Sequence, residues 1–233
     1  MISGAWWTVA NLQTREILRR RAALFLLLLF PLSWYVAEAA AGIEYAIGTG
    51  VLAVAWATAT AALFAFLAAR DVDQRLVQAG YRPRDIVLGR LVALLAIDAI
   101  MTIVFGIVMV AGSRPDRTGD TFLALALASL VSTAVGWLTS AAVPRELEGT
   151  LLLIGVVGLQ VSIPVSASAD LFIPYYAPLR LTDDGRTPVG PLGPTVHAVV
   201  WSVLIALVAL TLWRRRVLVH IADTPRPDRR PLA

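Results

Sequence analysis

The chain has no cysteine, and no lysine among its 233 residues: all 20 basic side chains are arginine. The first absence removes disulfides, thiol nucleophiles and cysteine-based metal sites. The second removes the lysine with which a P-loop reaches the β- and γ-phosphates, so the chain has no ATP-hydrolysing P-loop of its own. Histidine is scarce. His197 and His220 flank opposite ends of the last apolar stretch, so they share no metal. Neither a catalytic nor a metal site is expected.

What is abundant is apolar surface. Hydrophobic residues make up 58% of the chain, with a mean hydropathy of +0.74. That excludes an ordinary soluble domain. Six apolar stretches, at 22–41, 45–69, 90–112, 121–143, 150–169 and 195–213, approach the ~20 residues needed to cross a hydrocarbon core. The remaining segments are too short and proline-rich to bury a core. The expected fold is all-α: a polytopic membrane protein of six transmembrane helices with an N-terminal amphipathic interfacial helix. Residues 1–21 form that helix, 22–213 the membrane domain and 214–233 a disordered tail.

The arginines give the orientation. Arg15, Arg19, Arg20 and Arg21 precede the first stretch, and Arg70, Arg75, Arg82, Arg84 and Arg90 follow the second. With Arg145 and the six arginines of the tail, they lie on one side of the membrane. Only Arg114, Arg117, Arg180 and Arg186 lie on the other. Basic residues near span ends stay cytoplasmic, which puts both termini inside a cell-membrane, multi-pass protein. The net charge of +4 suits anionic lipid headgroups. Without a basic folded domain, nucleic acid is not an expected partner. The Arg19–Arg21 cluster, apolar run and Ala37-Glu38-Ala39 look like a signal peptide. Cleavage would upset the arginine pattern, so 22–41 is read as a retained anchor.

Along the chain, Trp6, Trp7, Ala10, Thr14, Ile17 and Leu18 share one helical arc and predict an interfacial helix over 5–20. Pro31 predicts a kink in the first span, whose outer end Glu38 and Glu44 mark. Between spans two and three, Val72, Leu76 and Ala79 make an apolar stripe among Asp71, Asp73, Gln74, Arg75 and Gln78. Gly80 reads as a helix stop, Tyr81-Arg82-Pro83 as a break, and Asp85 as the cap of the next helix. Asp98 falls about 12 Å along the third span from Arg90, inside the hydrocarbon. A carboxylate there faces protein or water, whether it packs or lines a path. Ala128, Ser132, Gly136 and Ser140 form a close-packing ridge on span four. Span five is broken and polar, with Gly155, Gly158, Gln160, Ser162 and Pro164. Asp98, Gln160 and Ser162 are the candidate translocation path. The external segment 170–194 is proline-rich yet apolar. Phe172, Tyr175 and Tyr176 anchor it in the interface or cap a cavity.

Arg75-Leu76-Val77, Arg82-Pro83-Arg84 and the Gly89-Arg90 pair opening span three resemble the type-2 ATP-binding-cassette (ABC) permeases. So does the whole order of elements over about residues 5–215: elbow helix, six spans, both ends inside, longest external segment between spans five and six. The chain departs from many members in having Asp71-Val72-Asp73 ahead of the loop helix. The resemblance implies a permease subunit of an ABC exporter. It would pair with a second permease copy or homologue and work on separate ABC ATPase subunits. MgATP would bind those partners, and this chain would hold no cofactor. Such a permease must receive force through a cytoplasmic contact. The segment 70–89 is the only compact cytoplasmic unit. Val72, Leu76 and Ala79 would dock on the ATPase, with Arg75, Arg82 and Arg84 at the rim. Two other classes compete: a non-transporting anchor, immunity or sensor subunit, and an intramembrane enzyme. The enzyme lacks paired carboxylates or histidines within the spans.

Overall fold

The computed structural model describes residues 4–43, 45–162, 172–182 and 190–222, the side chains of 160–162 and 217–222 excepted. Nine helices occupy them: α1 (Ala5–Arg19), α2 (Arg21–Ala40), α3 (Ala46–Ala68), α4 (Arg70–Gln78), α5 (Pro83–Ser113), α6 (Thr118–Ala142), α7 (Glu146–Ser162), α8 (Tyr176–Arg180) and α9 (Leu192–Ala222). There is no strand among the described residues.

The chain is an all-α, polytopic membrane protein. Among the described residues, five helices (α2, α3, α5, α6 and α9) are long and apolar enough to cross a membrane. α7 is equally apolar but is described over 17 residues only. The rest of the expected fifth stretch, including Pro164, lies outside the described residues, as does Glu44.

α3 and α6 form the centre. In each, 72% of the most apolar 18-residue window is buried, against 11% in α2. A soluble protein could not leave α2 so bare. Here Phe25, Leu26 and Leu29 on α2, and Ile100, Ile103 and Ile107 on α5, present the apolar exterior that lipid solvates. The close approach of α3 and α6 follows from small residues. All four members of the expected ridge, Ala128, Ser132, Gly136 and Ser140, are buried. A Cβ on Gly136 would overlap the Ala59 carbonyl oxygen and lie 2.8 Å from Ala62 Cβ. The ridge is therefore an intramolecular seam.

Several local expectations change. α1 is amphipathic, but its inward face is Ala5, Val9, Ala10 and Gln13, while Trp6 and Trp7 point outward. The small residues face in because α1 crosses α5 at Gly89, where a Cβ would overlap the Trp6 carbonyl oxygen and sit 2.7 Å from Val9 Cβ. The tryptophans are left for the membrane interface. α2 runs unbroken through Pro31. α5 starts at Pro83, with Arg82 as the extended residue before it. Pro83 opens the helix because the first turn needs no N–H there, and Asp85 sits in that turn rather than capping it. The tail expected to be disordered from Arg214 continues α9 to Ala222. Gly80 does stop α4: at φ 90°, it lets Gly80 N–H reach Val77 O (3.0 Å) and Tyr81 N–H reach Leu76 O (3.0 Å). These are the paired bonds of a Schellman ending.

Candidate coupling node and intramembrane polar seam

Two polar clusters stand out. The first lies where α4 meets the bundle. Arg90, one residue after the Gly89 crossing, is buried in α5. Its Nε donates to Asp73 Oδ1 at 3.0 Å, its Nη2 donates to the same oxygen, and its Nη1 donates to Gln13 Oε1. Trp213 Nε1 donates to Asp73 Oδ2 at 3.2 Å. Asp73 is 0% exposed and Arg90 4%. Four helices, α1, α4, α5 and α9, thus meet on one buried ion pair. Burial pushes the Asp73 carboxyl up from its ordinary range, while the Arg90 charge and the Arg90 and Trp213 hydrogen bonds pull it back. Such a pair is costly to break, since either partner alone is a buried charge.

Beside it, Arg70 closes the end of α6. Its guanidinium donates to the carbonyls of Pro144 (3.0 Å), Val143 (2.6 Å) and Ser140. Arg216 donates to the Ala142 carbonyl at 3.2 Å. Carbonyls at a helix C-terminus lack intrahelical partners, and the dipole there favours cations. Burial, and then the nearby Arg216, push the Arg70 guanidinium below its ordinary value. Apolar packing completes the region. Phe66 stacks on Trp137 with centroids 5.1 Å apart, and Ile86 and Trp213 join them.

This geometry revises the expected stripe on α4. Leu76 is half-buried against the cluster containing Phe66, Ile86 and Trp213, so its own chain covers it. Val72 and Ala79 are exposed, as are Arg75, Arg82 and Arg84. The inward face is Asp73 with Leu76 and Val77. The surface left for a partner is therefore Val72 and Arg75 on α4 and Ala79 at its C-cap, with Arg82 and Arg84 just beyond.

The second cluster runs along α6 inside the membrane. Thr133 Oγ1 donates to Asp98 Oδ2 at 2.6 Å, and Asp98 is 7% exposed. The carboxylate faces protein and not lipid. Ser132 Oγ and Tyr175 Oη share a hydrogen bond of 2.8 Å. Tyr175 is wholly buried against α6, so this residue is a core side chain rather than an interfacial anchor. Tyr176 is half-buried, its ring 6.3 Å from that of His197, with the Arg180 guanidinium 5.8 Å from its centroid. Phe172 is exposed at 76%. The side chains of Gln160 and Ser162 lie outside those described, so only Asp98 of the candidate path is placed.

Sequence named Asp73 only among the polar residues around the α4 stripe and Arg90 only in the pair opening span three, and it singled out neither Gln13 nor Trp213. The Gly89-Arg90 pair was the available signal: a glycine marks a close helix crossing, and the next side chain must then be buried beside it. No group of three or more metal-ligating side chains occurs among the described residues.

The family model for the ABC-2 type transporter matches residues 6–163, from α1 to the end of α7. Comparison with curated proteins gives no significant match.

Proposed function

The chain belongs to the ABC-2 type transporter family, and we propose that it is the permease subunit of an exporter driven by separate ATP-binding subunits. In this reading the chain sits in the cell membrane with both termini in the cytoplasm. α7 completes a sixth crossing, and a second permease copy or homologue closes the pathway. MgATP binds only the partner ATPase, because a chain without lysine carries no P-loop.

The observation that carries the reading is the Asp73–Arg90 node. A permease must convert movement of an ATPase at its surface into movement of membrane helices. α4 offers an exposed face to a partner and is fastened on its other face to α1, α5 and α9. Force applied at Val72, Arg75, Ala79, Arg82 or Arg84 reaches three other helices through one ion pair. The exposed side chains suit an interface of a small apolar centre with a basic rim. Asp98, with Gln160 and Ser162, is assigned to the path, and the segment bearing Phe172, Tyr175 and Tyr176 to its outer cap.

The test is co-expression with candidate ABC ATPase subunits from the same genome, followed by affinity purification and measurement of ATP hydrolysis. A stable complex whose hydrolysis depends on the permease is expected. A permease that purifies alone, with no effect on the ATPase, makes the chain a membrane anchor or sensor instead.

A further inference from the structure

α9 packs against α6, and Ala198, Ser202, Ile205, Ala209 and Trp213 are its buried row. Its other face is bare: Val200, Val203, Leu204, Leu207 and Val208 are exposed. Acyl chains solvate such a stripe. Arg214 and Arg215 follow Leu207 and Val208 by two helical turns, so they continue the same face, and both are exposed. Arg216 follows Ala209 by the same interval and turns toward α6, where it donates to the Ala142 carbonyl.

Positive charge is in excess here. Arg216 spends one N–H on Ala142, while Arg70 holds the carbonyls of Ser140, Val143 and Pro144. The two guanidiniums are close enough to act on each other as like charges. Arg216 lowers the Arg70 value, second only to burial, and Asp71 acts in the opposite sense. At the start of α7, Glu148 is taken by Arg145 at 3.3 Å. Among the described residues no carboxylate forms an ion pair with Arg70, Arg214, Arg215 or Arg216. Membrane orientation needs basic residues near the end of a span. It does not need two guanidiniums converging on one helix terminus, where they repel. An anion beside them relieves that repulsion and takes up the remaining N–H groups. Phosphate suits them, because the arginine fork matches its oxygens.

The position selects the source of the phosphate. The cluster stands where the lipid-facing stripe of α9 ends, so a phospholipid lying on that stripe brings its headgroup to the arginines. We propose that Arg214, Arg215 and Arg216, with Arg70 beside them, bind the phosphate of an anionic phospholipid whose acyl chains lie on the exposed face of α9 from Val200 to Val208. The headgroup then sits next to Trp213, which closes the Asp73–Arg90 pair, and ties α9 to the end of α6. Only the assignment to the inner leaflet rests on the proposed orientation.

The test offers the full chain, in detergent micelles, equal amounts of phosphatidylglycerol and phosphatidylcholine. The first lipid retained is read by native mass spectrometry. Phosphatidylglycerol should be preferred by about tenfold, since each basic residue near an anionic lipid strengthens binding several-fold. Arg214→Gln with Arg215→Gln and Arg216→Gln should abolish the preference. Arg214→Gln with Arg215→Gln alone, which leaves the Arg216 bond to α6 in place, should remove most of it. Arg75→Gln with Arg82→Gln and Arg84→Gln takes the same charge from α4 and the turn after it, and should leave the preference intact. Equal retention of the two lipids by the unmodified chain would overturn the proposal and leave the cluster to an acidic protein partner. An equal loss in the α4 variant, or an undiminished preference in both α9 variants, would also overturn it. Displacement of the lipid by inorganic phosphate, beyond the effect of chloride at equal ionic strength, would make this a free-phosphate site instead. The assay contains no ATPase and reads both ends of the bundle alike, so its failure leaves the permease reading untouched, and failure of ATPase assembly leaves the lipid site.

Discussion

Arg90 and Asp73 are 17 residues apart, on opposite sides of the turn between α4 and α5, yet Arg90 Nε meets Asp73 Oδ1 at 3.0 Å in a site closed to solvent. Removing one partner strands the other. Asp73→Ala should destabilise the chain by about 3–5 kcal/mol, read as a fall in melting temperature in detergent. The double substitution Asp73→Leu with Arg90→Met should recover most of that loss, because two apolar side chains leave no buried charge. A double variant no more stable than Asp73→Ala would mean the pair is not the source of the cost.

The exposed face of α4 should behave differently. Val72→Asp and Arg75→Glu change side chains that touch little of their own chain, so stability should move by no more than about 0.5 kcal/mol. Recovery of the ATPase in co-purification should nevertheless fall by about tenfold, as for loss of an interface-centre contact. Leu76→Asp should lose both, since Leu76 packs against Phe66, Ile86 and Trp213. Full complex formation by Val72→Asp and Arg75→Glu would move the docking surface to α1.

Within the membrane, Thr133→Val removes the donor to Asp98 and should cost about 1–3 kcal/mol. Asp98→Asn keeps an acceptor for Thr133 and should melt near the unmodified protein. Transport should nonetheless fall in Asp98→Asn. An unchanged rate would make Asp98 a packing group only.

The contact between α3 and α6 tolerates no side chain at Gly136. Gly136→Ala should cost about 1–3 kcal/mol by forcing the Ala59 backbone away, measured by thermal unfolding. A neutral result would show that the two helices can separate freely.

Orientation is testable without background, since the chain has no cysteine. Cysteines placed at Ser113 and Asp184 should react with an impermeant thiol reagent from outside the cell, and those at Gln78 and Thr224 should not. The opposite pattern would reverse the topology and remove α4 from the cytoplasm.

Hydropathy located the long helices well, because a membrane imposes length and apolarity on any crossing segment. The Gly80 stop and the α6 ridge were also legible, since each rests on a local steric property. The inward face of α4 was not. On a nine-residue helix, Val72, Leu76 and Ala79 and the rival set Asp73, Leu76 and Val77 are both plausible stripes. Hydrophobicity favours the first. The structure uses the second, because Arg90 and Trp213 from distant parts of the chain satisfy Asp73. The burial of Tyr175, which sequence left open between an interfacial anchor and a cap, was hidden for a related reason. Its hydroxyl finds a partner, Ser132, that lies 43 residues away.

The grip of Arg70 and Arg216 on the end of α6 limits how the molecule can move. Turning α4 against α6 would surrender the carbonyls of Ser140, Val143 and Pro144 together, which ties α4 to the C-terminal end of α6. The backbone leaves helical geometry close by, at Arg20, with ψ 59°, between α1 and α2, and at Gly80 through Arg82, between α4 and α5. These two joints lie on either side of the Arg90 pair.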